Sequence, residues 1–277
     1  MYSIIENPNV HEFRTFFIEI KTNPEEPEIV SRIIDIPRVR AIDGIIGQSS
    51  LMVKFCTRND QQFAEILKQI DTIITGTRFQ HYKIINCLKT FKDGGKGLAE
   101  GKPAIMKKST GRHDLDGIDE SLLDAMQDIP ERFSYEWITA KASIYVESLS
   151  YSQVHRRVKE MIDSGVIESV TIKLSPDFIP KTDFPVKFYL QVLPKQLSEY
   201  NGIAAGILSS RHEIVELYRT GEEYGLFAVV RTGSIAEYRK FLESLYATGK
   251  IQDTISTLVI DEKLPATFKP FKDDGAT

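Results

Sequence analysis

An internal duplication constrains the fold of this 277-residue chain more than any other feature. Two regions, about residues 13–91 and 184–264, repeat one pattern of apolar and helix-capping residues. An offset of about 175 residues carries the first pattern onto the second: Leu51 onto Leu226, Phe63 onto Tyr238, Leu67 onto Leu242, Ile70 onto Leu245, Asn59 onto Ser234 and Gln62 onto Glu237. Because core positions and cap positions agree in one register, we expect two copies of the same structural unit.

The apolar spacing in each region predicts the element order β-α-β-β-α-β. In the first region, a helix with Ile29, Ile33 and Ile36 on one face follows the strand-like run "FRTFFIEI", and a second helix begins at "NDQQFAEIL". In the second region, "SIAEYRKFLESLYATG" is the matching second helix. The sequence therefore predicts an α+β fold with two ferredoxin-like βαββαβ domains, at residues 1–91 and 177–264.

The segments between and after the two copies differ in character. Residues 92–113 hold five glycines and six Lys or Arg residues, which predicts a basic, flexible linker. A solvated tether is favoured there over a DNA contact. Residues 114–176 return to helical periodicity, and residues 265–277 are predicted to be a flexible tail.

Composition and charge narrow the function classes. With 42% hydrophobic and 27% charged residues, most of the chain should fold. No apolar run approaches a membrane span and the N-terminus lacks a signal-peptide pattern, so we expect a cytoplasmic protein without a membrane partner. The net charge of −4 argues against a protein that binds nucleic acid over much of its surface, but a DNA-binding helix needs only a basic surface of its own.

The residue types that carry most enzyme chemistry are sparse. Cys56 and Cys87 lie in apolar strand-like runs without a partner at metal-ligand spacing, which predicts reduced core thiols. No Ser-His-Asp set, phosphate-binding loop or paired metal ligands appear in the sequence. We therefore expect no enzyme activity, no catalytic residue, and no metal or other cofactor.

The pattern of residues 114–176 predicts three helices. The first has four apolar residues on one face: Ile118, Leu122, Leu123 and Met126. The second lies within "SYEWITAKASIYV", where the inward-packing candidates are Trp137, Ile138 and Ile144. The third is followed by "VIESVTIKLSP", which alternates imperfectly, as a strand or wing does.

The third helix is predicted to be short, capped and amphipathic. Ser150 and Gln153 form a capping box and Gly165 is a candidate for the residue just beyond the C-terminus, so the helix should span about 151–163. Its core face consists of Val154, Val158, Met161 and Ile162. Its opposite face consists of Ser152, Arg156, Lys159 and Asp163, with Gln153, His155 and Arg157 at the borders.

Three helices of which the last is short and basic are typical of a helix-turn-helix, whose recognition helix offers N-terminal side chains to the major groove. In that pose Ser152, Gln153 and Arg156 are predicted to reach base edges. Phosphate contacts are predicted for Arg157, Lys159 and His155. Charge alone leaves the alternative open, because residues 148–175 carry four Lys or Arg against three acidic residues, a net of +1 that a solvated helix also carries.

These residues resemble a known family. "LSYSQVHRRVKEMIDSGVI" resembles the recognition helix of the Lrp/AsnC (feast/famine) transcription regulators, and "DLDGIDESLLDAMQDI" is similar to the start of their DNA-binding domain. "IVELYRTGEEYGLFAVVRTGSIAEYRKFL" is similar to their RAM domain, which binds ligands and forms oligomers. The resemblance covers most of the chain. It implies a winged helix-turn-helix flanked by two RAM domains, with double-stranded DNA as partner and a homodimer or higher homo-oligomer formed through the RAM domains.

The sequence departs from the family pattern at three places. A RAM copy precedes the helix-turn-helix as well as following it. The segment between Phe133 and Leu149 is longer than the family's second helix and turn, and Ser148 replaces the turn glycine. Gly225, and Ser50 in the first copy, stand where the family's effector loop carries an acidic residue near an amino-acid ligand. A small-molecule effector is still implied, but we expect a weak or absent response to leucine.

The same architecture also resembles the siroheme decarboxylases, in which His and Arg side chains hold and protonate a tetrapyrrole. The candidates for that chemistry here are His81, Arg211 and His212, each of which we expect to be a surface or strand-edge residue. The regulator is therefore the main hypothesis, and a tetrapyrrole enzyme is its alternative.

Overall fold

The computed structural model describes residues 2–6, 14–23, 25–36, 39–57, 59–92, 115–126, 134–143, 149–172 and 185–264. These residues form two units, one from the two repeated regions and one from the central helices. The predicted tail, the predicted linker beyond Lys92, the core candidate Ile144 and the turn just before Leu149 lie outside the described residues.

The helices and strands are numbered in chain order. The first strand is β1 (Tyr2–Glu6), and the first repeated region forms β2 (Arg14–Ile20), α1 (Glu28–Ile34), β3 (Val39–Ile45), β4 (Leu51–Thr57), α2 (Asp60–Thr75) and β5 (Tyr82–Lys92). The central region forms α3 (Gly117–Ala125), α4 (Tyr135–Ala142), α5 (Tyr151–Asp163) and β6 (Ile167–Ile172). The second repeated region forms β7 (Val186–Pro194), α6 (Tyr200–Ile203), β8 (Ile214–Thr220), β9 (Leu226–Thr232), α7 (Ile235–Tyr246) and β10 (Ile251–Leu264).

Both repeated regions follow the predicted order β-α-β-β-α-β, and the equivalent strands β4 and β9 begin at the predicted equivalent residues. Thus β4 begins at Leu51 and β9 at Leu226. The copies differ in their first helix, because α1 is a single α-helix whereas α6 lies between a 3₁₀ turn and a π turn. Gly202 and Gly206 lie in this segment, and glycine weakens a regular helix.

The eight strands of the two halves close into one barrel, in the order β10-β3-β4-β2-β5-β8-β9-β7. Each half contributes a long last strand that first pairs within its own half and then crosses to the other. Strand β5 pairs with β2 and then with β8, where Cys87 lies opposite Thr220. Strand β10 pairs with β7 and then with β3, where Val259 lies opposite Ile45. The two predicted domains therefore share one sheet, and the copies pair within one chain.

Each half has its own core, and a third cluster of buried side chains joins the halves. In the first half, Ile29, Ile33 and Ile36 are buried as predicted. The joining cluster is aromatic, and the ring centroid of Phe17 lies 4.7–5.8 Å from those of Tyr189, Tyr218 and Phe227. Burying side chains of this size stabilises a fold by about 1.5–3 kcal/mol each, so this cluster favours association of the halves.

The smaller unit contains the three predicted helices. Its core includes Leu122, Leu123, Met126 and Ile138, as predicted. A strand that the sequence pattern did not predict completes it: β1 pairs antiparallel with β6, and Ile4 is buried in the same core. The first residues of the chain thus belong with the central helices, although the prediction grouped them with the first repeated region.

One core prediction for α5 is wrong. Ile162 was expected on the buried face with Val154, Val158 and Met161, but its side chain is 40% exposed. The buried stripe follows the spacing i, i+4, i+7, and a residue at i+8 drifts to the edge of such a stripe.

Candidate functional site

The candidate DNA-contacting surface lies on α5, and a capping box fixes the start of that helix. The Oγ of Ser150 accepts a hydrogen bond from the backbone N–H of Gln153, and Gln153 Oε1 accepts one from the N–H of Ser150 at 2.9 Å. Both predicted helix ends are confirmed, since Gly165 has the positive φ, 79°, that favours glycine beyond a helix terminus. A two-point contact between Gln153 and adenine needs its amide oxygen, so such a contact would require this cap to open.

Arg157 connects α5 to the first turn of α3. Its Nη1 donates to Asp119 Oδ1 at 2.7 Å and to Asp116 Oδ1 at 3.1 Å. The hydrogen bond to Asp119 raises the pKa of Arg157. Burial opposes ionisation of Asp116, but hydrogen bonds from the Asp119 N–H and from Arg157 lower its pKa overall. These contacts favour a role for Arg157 in orienting α5, and its predicted phosphate contact stays a prediction.

The exposed face of α5 brings together three residues predicted from the sequence, Ser152, Arg156 and Lys159. Arg156 Nη1 lies 3.8 Å from Glu160 Oε1 one turn further on, and the two side chains are 66% and 48% exposed. A pair this exposed contributes about 0.3–0.5 kcal/mol, so Arg156 can exchange its carboxylate for a nucleic-acid acceptor at small cost.

His155 packs against two tyrosines that the sequence analysis did not single out. Its ring centroid lies 4.7 Å from that of Tyr135 on α4 and 6.5 Å from that of Tyr151. Tyr151 is the first residue of α5 and is 50% exposed. A tyrosine at the first position of a helix with basic residues on its exposed face is the sequence signal that could have identified Tyr151 as a candidate site residue. These three rings contact one another beside the N-terminus of α5.

A second candidate site is a cavity of about 370 Å³ between the start of β8 and α7. Its lining residues are Arg211, His212, Glu213, Thr232, Glu237, Lys240, Phe241 and Ser244. Two of the three predicted tetrapyrrole residues therefore come together here, whereas His81 does not line the cavity. The His212 side chain is 75% exposed, and its Nδ1 lies 3.4 Å from Glu213 Oε2. A cavity of this volume with side chains of both charges suits a small polar molecule.

At Gly225 in the second half, where the sequence resemblance implies an acidic residue, the side chains of Arg219 and Tyr200 occupy the space beside the backbone. Arg219 stacks 3.8 Å from the ring centroid of Tyr200 and donates to the carbonyl oxygen of Gly225 at 2.6 Å. A Cβ atom at position 225 would overlap the Arg219 guanidinium and lie 2.7 Å from Tyr200 Cζ. In the first half, Ser50 Oγ accepts a hydrogen bond from the N–H of Thr22 at 2.7 Å. Neither loop places a carboxylate at this point.

In the part of the chain that the structure describes, no group of three or more His, Cys, Asp or Glu residues is placed to hold a metal ion. Cys56 and Cys87 are free thiols, and burial raises the pKa of Cys87. None of the helices described is long and apolar enough to cross a membrane.

Comparison with known proteins gives two kinds of likeness, and no protein-family model matches the chain. The chain is 23% identical over 158 residues to the HTH-type transcriptional regulator FL11 of Pyrococcus furiosus, which is 57% of this chain and 97% of that protein. It is 24% identical over 159 residues to the regulatory protein AsnC of Haemophilus influenzae, again 57% of this chain and 99% of that protein. Homology to these regulators is therefore distant and partial.

A likeness over nearly the full length is found with a solved structure. The siroheme decarboxylase NirDL shares the fold with a TM-score of 0.62 over 94% of this chain and 75% of that protein, at 10% identity. NirDL has also been solved in co-complex with an iron-uroporphyrin III analogue. The architecture is thus of Lrp/AsnC type, and nearly the whole chain shares its fold with NirDL.

Proposed function

We propose that the chain is a sequence-specific DNA-binding transcription regulator of the Lrp/AsnC type that reads the major groove with α5. One observation carries this proposal: Ser152, Arg156 and Lys159 share the exposed face of a capped helix whose other face buries Val154, Val158 and Met161 completely. Such a helix is held rigidly and presents its polar side chains without reorganising, which keeps the entropic cost of binding low. The distant homology to FL11 and AsnC supports the same function.

The side chains divide into base contacts and phosphate contacts. Arg156 pairs with guanine through two hydrogen bonds and Ser152 accepts or donates at a neighbouring base edge. Lys159 and His155 contact phosphates, and Arg157 keeps α5 at its angle to α3. Phosphate contacts make the affinity fall with added salt, whereas base contacts make it depend on sequence.

The test compares Arg156→Ala with a matched control, Arg239→Ala. Arg239 lies on α7, and its Nε is 3.4 Å from Glu243 one turn away, with side-chain exposures of 74% and 63%. Both variants thus lose a similar exposed Arg–Glu pair, but only one changes α5. After selection of the preferred site from genomic DNA, we expect Arg156→Ala to weaken specific binding by about 1–3 kcal/mol and Arg239→Ala to leave it unchanged.

Two results would contradict the DNA proposal. The first is selection that enriches no sequence with the unmodified protein. The second is an equal loss of affinity in both variants, because a loss independent of position would indicate general electrostatic attraction to DNA.

A second candidate function is a tetrapyrrole decarboxylase, favoured by the nearly full-length likeness to NirDL. The closed barrel formed by the two repeated halves is consistent with this candidate, because the fold likeness to NirDL extends over both halves. Arg211 and Lys240 would hold one carboxylate-bearing edge of a substrate with His212 beside it, since a cavity of about 370 Å³ encloses only part of a tetrapyrrole. The Glu213 and Glu237 carboxylates in the same cavity disfavour an anionic substrate.

The enzyme candidate is tested by incubation with siroheme under anaerobic conditions. Release of carbon dioxide that falls at least tenfold in His212→Ala, but not in His81→Ala, would support this function and place it in the cavity. Absence of carbon dioxide release and of a change in the tetrapyrrole absorption spectrum would remove it.

A further inference from the structure

Two buried ion pairs connect the halves of the barrel. Lys54 on β4 donates to Glu216 on β8 at 2.9 Å, and these side chains are 10% and 9% exposed. Lys187 on β7 donates to Asp43 on β3 at 2.6 Å, with exposures of 4% and 0%. Each pair joins a residue of the first half to a residue of the second. Their geometry therefore depends on which half meets which.

The strand registers identify the equivalent position of each charged residue in the other half. Ala41 lies opposite Lys54 in the first half, as Glu216 lies opposite Val229 in the second, so Ala41 matches Glu216 and Lys54 matches Val229. At the symmetry-equivalent place in the barrel, where each half takes the position of the other, Val229 stands in place of Lys54 and Ala41 in place of Glu216. Each buried charge of this pair occurs in one copy only.

The second ion pair follows the same rule. Lys187 lies opposite Arg231 as Thr15 lies opposite Cys56, so Thr15 is the equivalent of Lys187. Asp43 lies opposite Met52 as Tyr218 lies opposite Phe227, so Tyr218 is the equivalent of Asp43. Exchange of the halves converts this ion pair into Thr15 and Tyr218, neither of which carries a charge at neutral pH.

We infer that each half of the barrel has an interface that fits the other half and excludes a copy of itself. Two first halves would place Lys54 against Ala41 and Asp43 against Thr15. Two second halves would place Glu216 against Val229 and Lys187 against Tyr218. In both cases each of these buried charges would lose the ion-pair partner that the unlike half supplies, and breaking a buried ion pair is strongly destabilising. Two second halves would be disfavoured less than two first halves, because Lys187 keeps Glu262 of its own half at 3.7 Å and Glu216 keeps the hydroxyl of Tyr218 at 2.9 Å.

The partner of each half is therefore the unlike half, either of the same chain or of a second chain by reciprocal exchange. A chain that pairs its own halves closes the barrel, so no strand edge of this sheet is left for pairing with a like half. If α5 reads DNA as proposed, a barrel formed by one chain has one recognition helix attached to it. A barrel formed by like halves of two chains would have two. Two readers on adjacent half-sites would have to associate through another surface.

The inference is tested in the full chain by reversing one ion pair. Lys54→Glu places two carboxylates together, Glu216→Lys places two ammonium groups together, and the double variant restores an opposite pair. We expect each single variant to lose about 10 °C or more in melting temperature and the double variant to recover most of that loss. Arg239→Glu, which reverses an exposed charge on α7, controls for charge reversal as such and should melt within about 2 °C of the unmodified protein.

Co-expression of the two single variants with different affinity tags tests the choice of partner. Reciprocal exchange brings the introduced carboxylate of the Lys54→Glu chain to the introduced ammonium group of the Glu216→Lys chain and also leaves one native pair. A 1:1 heterodimer should therefore purify through both tags and melt above either variant alone. Stable homodimers of one variant would overturn the inference, as would single variants as stable as the unmodified protein. If neither single variant folds, a double variant that also fails to fold would equally overturn it.

Discussion

Phe17 in the first half and Tyr189 in the second occupy equivalent places inside the barrel, and they differ by one hydroxyl group. The hydroxyl of Tyr189 donates a hydrogen bond to Asp43 of the other half, whereas the ring of Phe17 has no hydroxyl and packs against the rings of Tyr189, Tyr218 and Phe227. The two halves thus repeat the same order of strands and helices while side chains buried between them are complementary. This comparison shows that equal folds do not imply interchangeable surfaces.

The two buried carboxylates also differ in their surroundings. Burial raises the pKa of Asp43 despite its contacts with Lys187 and Tyr189. The pKa of Glu216 is lowered, because the attraction and hydrogen bond of Lys54 and the charge of Lys187 together outweigh the effect of burial. The second half thus holds the better compensated carboxylate.

The largest effect is expected for Lys187→Met, which leaves the fully buried Asp43 without its cation. The free energy of unfolding should fall by about 3–5 kcal/mol in urea denaturation, since a broken buried pair leaves an uncompensated charge. Thr15→Val at the equivalent position of the first half should change it by less than about 1 kcal/mol. Similar losses in the two variants would mean that the halves are equivalent at this position.

The sequence predicted the repeated fold well, because core spacing and caps are local signals with a fixed period. It also predicted the limits of α5, since Ser150, Gln153 and Gly165 determine them locally. It did not predict the shared barrel. Pairing of β5 with β8 depends on strands more than 120 residues apart in the chain, and no local pattern encodes which strand edge meets which.

For the candidate DNA site, the sequence identified which side chains face outward and missed what holds them. The pairing of Arg157 with Asp116 and Asp119 joins α5 to a helix far away in sequence. From the sequence alone, an arginine at the border of a helix that pairs with carboxylates of the same protein cannot be distinguished from one that contacts a phosphate. The aromatic contacts of His155 were missed for the same reason, because Tyr135 lies on a different helix.

An intermediate effect is expected for Gly225→Ser, which introduces into the second half the residue that the first half has at Ser50. Its Cβ would meet Arg219 and Tyr200, and filling an already packed site costs about 1–3 kcal/mol. Ser50→Gly should cost about 1 kcal/mol or less, through loss of the hydrogen bonds with Thr22. Thermal unfolding of both variants would measure the difference, and a Gly225→Ser protein as stable as the unmodified one would show that this loop adapts.

The smallest effect concerns pH, and its sign should differ between the halves. Because the pKa of Asp43 is raised above its usual 3.8, the folded protein binds more protons than the unfolded chain just above that pH. The contribution of Asp43 to the free energy of unfolding therefore falls as the pH rises from 3.8 through the pKa of Asp43 in the folded protein. The pKa of Glu216 is lowered below its usual 4.5, so its contribution is present above pH 4.5 and is lost as the pH falls through its folded pKa.

Asp43→Asn and Glu216→Gln remove these two titrations one at a time. Relative to the unmodified protein, the stability deficit of Asp43→Asn should shrink as the pH rises from about 4, whereas that of Glu216→Gln should shrink as the pH falls below about 4.5. Urea denaturation at a series of pH values between about 3 and 7 would measure both. Deficits that change in the same direction would contradict the assignment of opposite surroundings to the two carboxylates. Because each half supplies one of them, opposite slopes would report on the unlike-half pairing from a measurement that requires no charge reversal.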